Sequence, residues 1–232
     1  LGGALKIGKL ADLAKADRQP ALALTDTDNM FGALEFSEKL ASSGIQPIVG
    51  CCFSIDFGDQ PRDPRNPAHN TSFPRIVLLA AREDGYQRLM RLSSRAFLET
   101  SGTERSHIRA DWLAEGTDGL IALTGGPGGA LDQAIAAGQL DLAQARAATL
   151  RGLFGDRLYV ELQRHGLAEE RATEPHLIDI AYAQSLPLVA TNEPFFAAPD
   201  DYESHDALIC IAEGRLIAET DRRQLTPEHY FK

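Results

Sequence analysis

Cysteine is scarce, with three residues in 232. Cys51 and Cys52 are adjacent and Cys210 stands far from them, so no C-x-x-C or Cys/His spacing occurs and a zinc finger is excluded. Three thiols without an export signal fit a reducing compartment, and a cytoplasmic setting is expected. Basic charge is short as well. Against 33 acidic side chains stand 23 lysines and arginines, for a formal net charge of −10. Sequence-independent binding to nucleic acid needs a basic surface. The one local cluster, Arg82, Arg88, Arg91 and Arg95, reads as a solvated helix face. No apolar run approaches the roughly 20 residues of a membrane helix. The chain opens at Leu1 with no methionine, basic n-region or apolar h-region, so no signal peptide is expected and further sequence upstream is. Neither G-x-G-x-x-G nor a P-loop is present, and no Ser/His/Asp or Cys/His arrangement can be assembled from the spacing.

What is present is a repeated strand–turn–helix plan. Ala21–Leu24 is a short apolar strand, Thr25–Asp28 a polar turn, and the spacing predicts a helix over Phe31–Ser43 that closes at Gly44. A helix at Ile7–Ala16 precedes it. Further strands are expected at Gln46–Phe53, Arg75–Ala81, Gly119–Thr124, Arg157–Leu162 and Pro187–Thr191. Helices are expected at Glu83–Leu98, Ala130–Ala137, Leu140–Phe154, Glu169–Gln184 and Pro199–Glu213, and Asp56–Phe73 and the tail Arg222–Lys232 read as polar. Alternating β and α with short apolar strands means an α/β fold with a mostly parallel sheet. The strand count suits a closed barrel better than an open sheet.

In such a barrel the turns after the strands share one face, where functional side chains collect. Among those turns the groups able to hold a hard metal ion are Asp26, Asp28, Glu161, His165 and Glu193. Each also has a structural role open to it. Asp26 and Asp28 suit turn formation and helix N-capping, Glu161 suits pairing with Arg164 or a neighbouring strand, and His165 suits a hydrogen-bonded loop. His176, His205 and His229 lack partners at ligand spacing and are expected to be structural or exposed. Gly125–Gly129 (GGPGG) suits close packing in a tight turn, with an anion-binding nest as the alternative.

Six segments in order resemble one family. TDTDNMFGALEF, GIQPIVGCCF, LLAAREDGYQRLMRLSSRAFLE, GLIALTGGPGG, YVELQRHG and LVATNEPFFAAPDDYESHDALICIAEG look like the polymerase-and-histidinol-phosphatase (PHP) domain found at the N-terminus of bacterial replicative DNA polymerase III α subunits. The resemblance covers nearly all of residues 1–232 and implies one PHP domain, a distorted (β/α)7 TIM-like barrel, at the start of a much longer chain. Active members bind several metal ions through His, Asp, Glu and Cys ligands and hydrolyse phosphoesters. Two of those ligands, an HxH pair on a first strand, would lie upstream of Leu1. The remaining family ligand positions fall on Gly2, Thr27, Cys52, Phe97, Gly126, Glu193 and Phe195. Only Glu193 is a hard-metal ligand and Cys52 a soft one, and Phe97 and Phe195 are expected to fill the mouth with apolar rings.

The resemblance therefore implies a non-catalytic scaffold without a metal or cofactor of its own. Magnesium would belong to the polymerase domain of the parent chain. The implied partners are that polymerase core and the proofreading exonuclease subunit, with DNA met through the parent and no membrane. An active metal-dependent phosphoesterase or 3′–5′ exonuclease is the alternative. A third possibility is an unrelated barrel enzyme using Glu161, His165 and Glu193.

Overall fold

The computed structural model describes residues 3–59, 73–100 and 104–232. Seven strands form one curled sheet: β1 (Ala21–Leu24), β2 (Gln46–Asp56), β3 (Arg75–Ala80), β4 (Ile108–Arg109), β5 (Leu120–Leu123), β6 (Leu158–Leu162) and β7 (Leu188–Ala190). The order is β1-β2-β3-β5-β6-β7, with β4 pairing beside β2. Eight helices accompany them: α1 (Ile7–Ala16), α2 (Ala33–Ser42), α3 (Glu83–Glu99), α4 (Ala110–Leu113), α5 (Ala130–Ala136), α6 (Leu140–Phe154), α7 (Ala168–Ala183) and α8 (Tyr202–Glu213).

The architecture is a distorted TIM-like barrel, with two departures from the expected parallel, closed form. Strand β3 runs antiparallel to both β2 and β5, while the other pairings are parallel. Reversing β3 puts its first residue, Arg75, at the end of the sheet where β2 and β5 finish. The ladder is also open, since among the described residues no pairing joins β1 to β7. The two-residue β4 pairs Ile108 with Ile55. Most of the expected 56–73 loop lies outside the described residues.

Side chains alternate across each strand, and this period of two sorts the core. Cys51, Phe53, Ile55, Ile76, Leu78, Leu120, Ala122, Leu158 and Val160 point outward to the helices and form the main core with Leu89, Leu131, Leu150 and Leu177. The opposite parity faces the concave interior. There the fully buried apolar set is only Cys52, Val77 and Leu123, with Leu79, Ile121, Tyr159 and Val189 around it. Glu161 shares the parity of Tyr159, so the strand aims it into the interior. A satellite core joins Ala11, Ala14, Phe36, Leu40, Ile45 and Phe231.

Two helix faces differ from the spacing. In α2 the buried residues are Ala33, Phe36 and Leu40, whereas Phe31 and Leu34 are 89% and 71% exposed. In α3 the inward stripe is Gly85, Leu89, Leu92 and Ala96. Met90 and Phe97 therefore turn toward solvent. Three of the four clustered arginines are paired: Arg82 with Asp84, Arg88 with Gly116 and Asp118, and Arg95 with Glu99 and Glu115. No helix among the described residues is long and apolar enough to cross a membrane.

Candidate functional site

The mouth of the half-barrel is assembled from the turns after β1, β2, β5, β6 and β7 and from the start of β3. Thr27 forms a parallel bridge with Cys52. Around it, Cys52 donates its N–H to the Asp26 carbonyl and Asp28 donates its own to the Cys52 carbonyl, at 3.0 and 2.9 Å. The Asp28 side chain does not cap α2. Its carboxylate takes the Ser54 N–H at 2.8 Å and the Ser54 hydroxyl at 3.1 Å, tying the turn across to β2. Asp28 holds a left-handed φ of 57° while doing so, a conformation Asp tolerates better than most residues. Burial raises its carboxyl above the usual range, opposed by the Ser54 hydrogen bonds and by Arg75. The turn's local cap is Asn29, whose side-chain oxygen accepts the Phe31 N–H.

Cys52 lies in the field of Arg75, Glu193, Glu161 and Asp28. Burial pushes its thiol up to about 12, the three carboxylates push the same way, and Arg75 opposes them. A thiol held protonated is a poor nucleophile at neutral pH, and a metal ion would have to displace its proton to bind. Cys51 points to the other face, with its sulfur 3.4 Å from the Asp26 and Asn29 carbonyls, and its thiol is raised by burial too. Arg75 reaches Glu193 at 3.9 Å, both side chains being about half exposed.

GGPGG is a packing turn. A Cβ on Gly125 would stand 2.6 Å from the Arg75 carbonyl, and Gly125 and Gly126 adopt φ of 95° and 58°. A Cβ on Gly126 would meet the Gln163 carboxamide at 2.8 Å. The turn does hold an anion, but one from the chain itself: the Gly125 N–H donates to Glu161 at 2.9 Å. Glu161 also accepts from the Thr191 hydroxyl and, at 3.2 Å, from Gln163. Arg164, proposed as its partner, pairs with Glu174 instead.

The far side of the mouth is a closed hydrogen-bond network. His165 is 2% exposed; its Nδ1 lies 2.8 Å from Glu170, and Glu170 also accepts the backbone N–H groups of His165 and Leu167. Nε2 of His165 faces Asn192 Oδ1 at 3.0 Å, and Asn192 is oriented by donating to the Tyr230 carbonyl. His229, from the tail read as polar, takes the structural role open to it: it stacks on His165 with ring centres 4.0 Å apart. The Thr226 N–H donates to His229 Nδ1 at 3.1 Å. Burial and the neighbouring His165 lower His229 to about 4. Below this pair, Asp132 accepts from Thr173, while its second oxygen is buried without a partner; burial raises the carboxyl to about 7.

The structure thus brings Thr27, Cys52, Asp28, Gly126, Glu161 and Glu193 to one mouth, with His165 beside it. Phe97 does not join them, being 57% exposed in the last turn of α3, so it fills no part of the interior. Phe195 packs its ring against His229 and His205 on the β7 side. Gly2 lies outside the described residues. Arg75, Glu170 and Asp132 were not singled out from the sequence. Only the reversal of β3 brings Arg75 to the mouth, whereas a glutamate five residues after His165 at a helix start was a visible signal for Glu170.

The donor set does not suit a hard-metal centre. Among the described residues, no group of three or more His, Cys, Asp or Glu side chains is placed to hold a metal ion. Asp28, Glu161 and His165 already bond to the chain's own N–H, hydroxyl and carboxylate groups. This is an α/β half-barrel whose mouth carries polar groups that largely bond to one another.

Comparison with known proteins names the class. A family model for the PHP domain matches residues 1–165. The chain belongs to the PHP domain family. It is also 42% identical over 233 aligned residues to the DNA polymerase III subunit alpha of Caulobacter vibrioides, covering 100% of this chain and 20% of that one. It is 34% identical to the DNA polymerase III subunit alpha of Thermus aquaticus, covering 100% of this chain and 19% of that one. The chain therefore spans about one fifth of the length of these curated relatives. A solved amidohydrolase from Chromobacterium violaceum superposes with a TM-score of 0.45 at 16% identity over 82% of both chains.

Proposed function

We propose that this chain is the non-catalytic structural PHP domain of a bacterial replicative DNA polymerase III α subunit. It would serve as a scaffold for the polymerase core and a docking body for the proofreading exonuclease subunit. Magnesium would act in the polymerase domain of the parent chain, in the cytoplasm, and DNA would be met there. Whole-length similarity to α subunits supports the parentage. The observation that carries the loss of chemistry is the state of the mouth. Glu161 is held by Gly125, Thr191 and Gln163, and Asp28 by Ser54. Cys52 stays a thiol, and Thr27 and Gly126 offer no carboxylate, imidazole or thiolate. A hard divalent ion needs several convergent oxygen or imidazole ligands, and Glu193, the carboxylate at the matched positions, is itself ion-paired to Arg75.

The test is elemental analysis of the purified protein after dialysis against zinc and manganese, run beside hydrolysis assays on a phosphomonoester and on DNA 3′ ends. Less than a tenth of an equivalent of metal and no hydrolysis above buffer are expected. One bound equivalent, or turnover abolished by Cys52→Ala or Glu193→Ala, would establish the phosphoesterase or 3′–5′ exonuclease alternative instead.

A further inference from the structure

The end of α8 and the turn after it expose several large aliphatic side chains. Eight consecutive residues, Ile211 to Ala218, are exposed (IAEGRLIA). Ile211, Leu216 and Ile217 are 76%, 70% and 63% exposed, and Leu208, one turn before Ile211 on α8, is 42% exposed. Side chains three apart on a helix share a face, so Leu208 and Ile211 lie together. The segment that carries them is held in place by hydrogen bonds and ion pairs. Gly214 ends α8 with a φ of 65°, and the Arg215 N–H returns to the Cys210 carbonyl at 2.9 Å. Glu219 accepts the Leu216 N–H at 3.0 Å and pairs with Arg215 at 2.6 Å. Arg222, its side chain 3% exposed, makes a two-pronged ion pair to Asp206 of α8 at 2.6 and 2.7 Å, and also donates to the Ile217 carbonyl at 3.3 Å. A buried guanidinium–carboxylate fork fixes geometry more than it stabilises. Here the geometry it fixes is the outward display of aliphatic side chains.

We propose that Leu208, Ile211, Leu216 and Ile217 form the face on which the following part of a polymerase α chain packs. This rests on the parentage proposed above and adds the surface that carries it. The occupant is inferred from length and position. The matched relatives are about five times longer than this chain, and this surface belongs to the last helix and the turn that follows it. It is also dominated by aliphatic groups, which suits a permanent intrachain contact resembling a divided core rather than a transient, polar one.

The test uses the full-length α chain carrying this domain, with p-benzoylphenylalanine installed in place of Ile217 and, separately, of Leu208. The intact mass of the native protein first reports whether the domain sits in such a chain, which separates failure of the parentage from failure of the surface. On illumination, both positions are expected to cross-link to residues of the same polypeptide beyond this domain, mapped by mass spectrometry. Ile217→Asp in the full-length chain is expected to raise the rate of limited proteolysis just after this domain by at least tenfold. Cross-links to a second copy or only to an added exonuclease subunit, or no cross-link at either position, would overturn the proposal, as would unchanged proteolysis of Ile217→Asp.

Discussion

The two sides of the mouth were built to different rules. On the β2–β3–β5 side, apart from the Asp28–Ser54 tie, the polar groups are few and reach each other weakly: burial pushes the Cys52 thiol up, and Arg75 meets Glu193 at 3.9 Å with both half exposed. On the β6–β7 side, Glu161, His165, Glu170, Asn192 and His229 are joined by short bonds and a stacked imidazole pair, nearly all of it buried. The first side carries few side chains able to do chemistry. The second still has carboxylates and imidazoles, but spends them on architecture. A histidine or glutamate at a barrel mouth is thus not evidence of catalysis until its partners are known, because a buried polar group must find some partner.

The largest effect should come from removing an anchor of the saturated side. Glu170→Ala leaves the His165 ring and two backbone N–H groups without their acceptor in a buried setting, and is expected to cost about 3 kcal/mol in urea unfolding. A loss under 1 kcal/mol would mean that the network is not structural. Next comes Asp132, whose folded carboxyl is raised from 3.8 to about 7. The folded state then holds a proton that the unfolded state releases, so stability is greatest below pH 3.8 and falls as pH rises toward about 7. Asp132→Asn should therefore stabilise the protein on the order of 2 kcal/mol at pH 8 and have no effect below pH 4.

His229 has the opposite sign. Its folded value is lowered from 6.5 to about 4, so the stability is present above 6.5 and is lost as pH falls through this window. His229→Gln should flatten that acid slope, a change on the order of 1 kcal/mol between pH 7 and pH 4. An unchanged slope would show that the tail does not hold the ring in place. The smallest effect should be Arg75→Gln. A half-exposed pair at 3.9 Å contributes little, and a loss below about 0.5 kcal/mol is expected in the same assay. A loss as large as that of Glu170→Ala would erase the contrast between the sides.

Much of the scaffold was legible because hydrophobic period and turn chemistry are local. The α1 and β1 limits, the Gly44 stop and the strand before GGPGG all follow from neighbours in sequence. The errors came where burial is decided from outside the segment. Leu34 lies on the side of α2 away from Ala33, Phe36 and Leu40, which pack inward, and Phe31 falls in the turn before the helix begins. Phe97, aligned with a ligand, lies at the exposed end of α3 for the same reason. Asp28 looked like a helix cap and instead reaches Ser54, a partner 26 residues away. The tail looked polar, yet Phe231 enters the satellite core and His229 stacks in the mouth.

By itself, the sequence determined the membership in the PHP family and the α/β alternation. Those depend on residue identity and short-range order, which are complete in one dimension. Only the tertiary structure decided that β3 runs backward and delivers Arg75 to the mouth, that the sheet stays open between β1 and β7 among the described residues, and that Glu161 and His165 bond to Gly125, Thr191, Glu170 and Asn192. Strand direction and hydrogen-bond partners are relations between distant residues, set by which arrangement buries the outward faces of the strands while leaving almost no interior polar group unpaired.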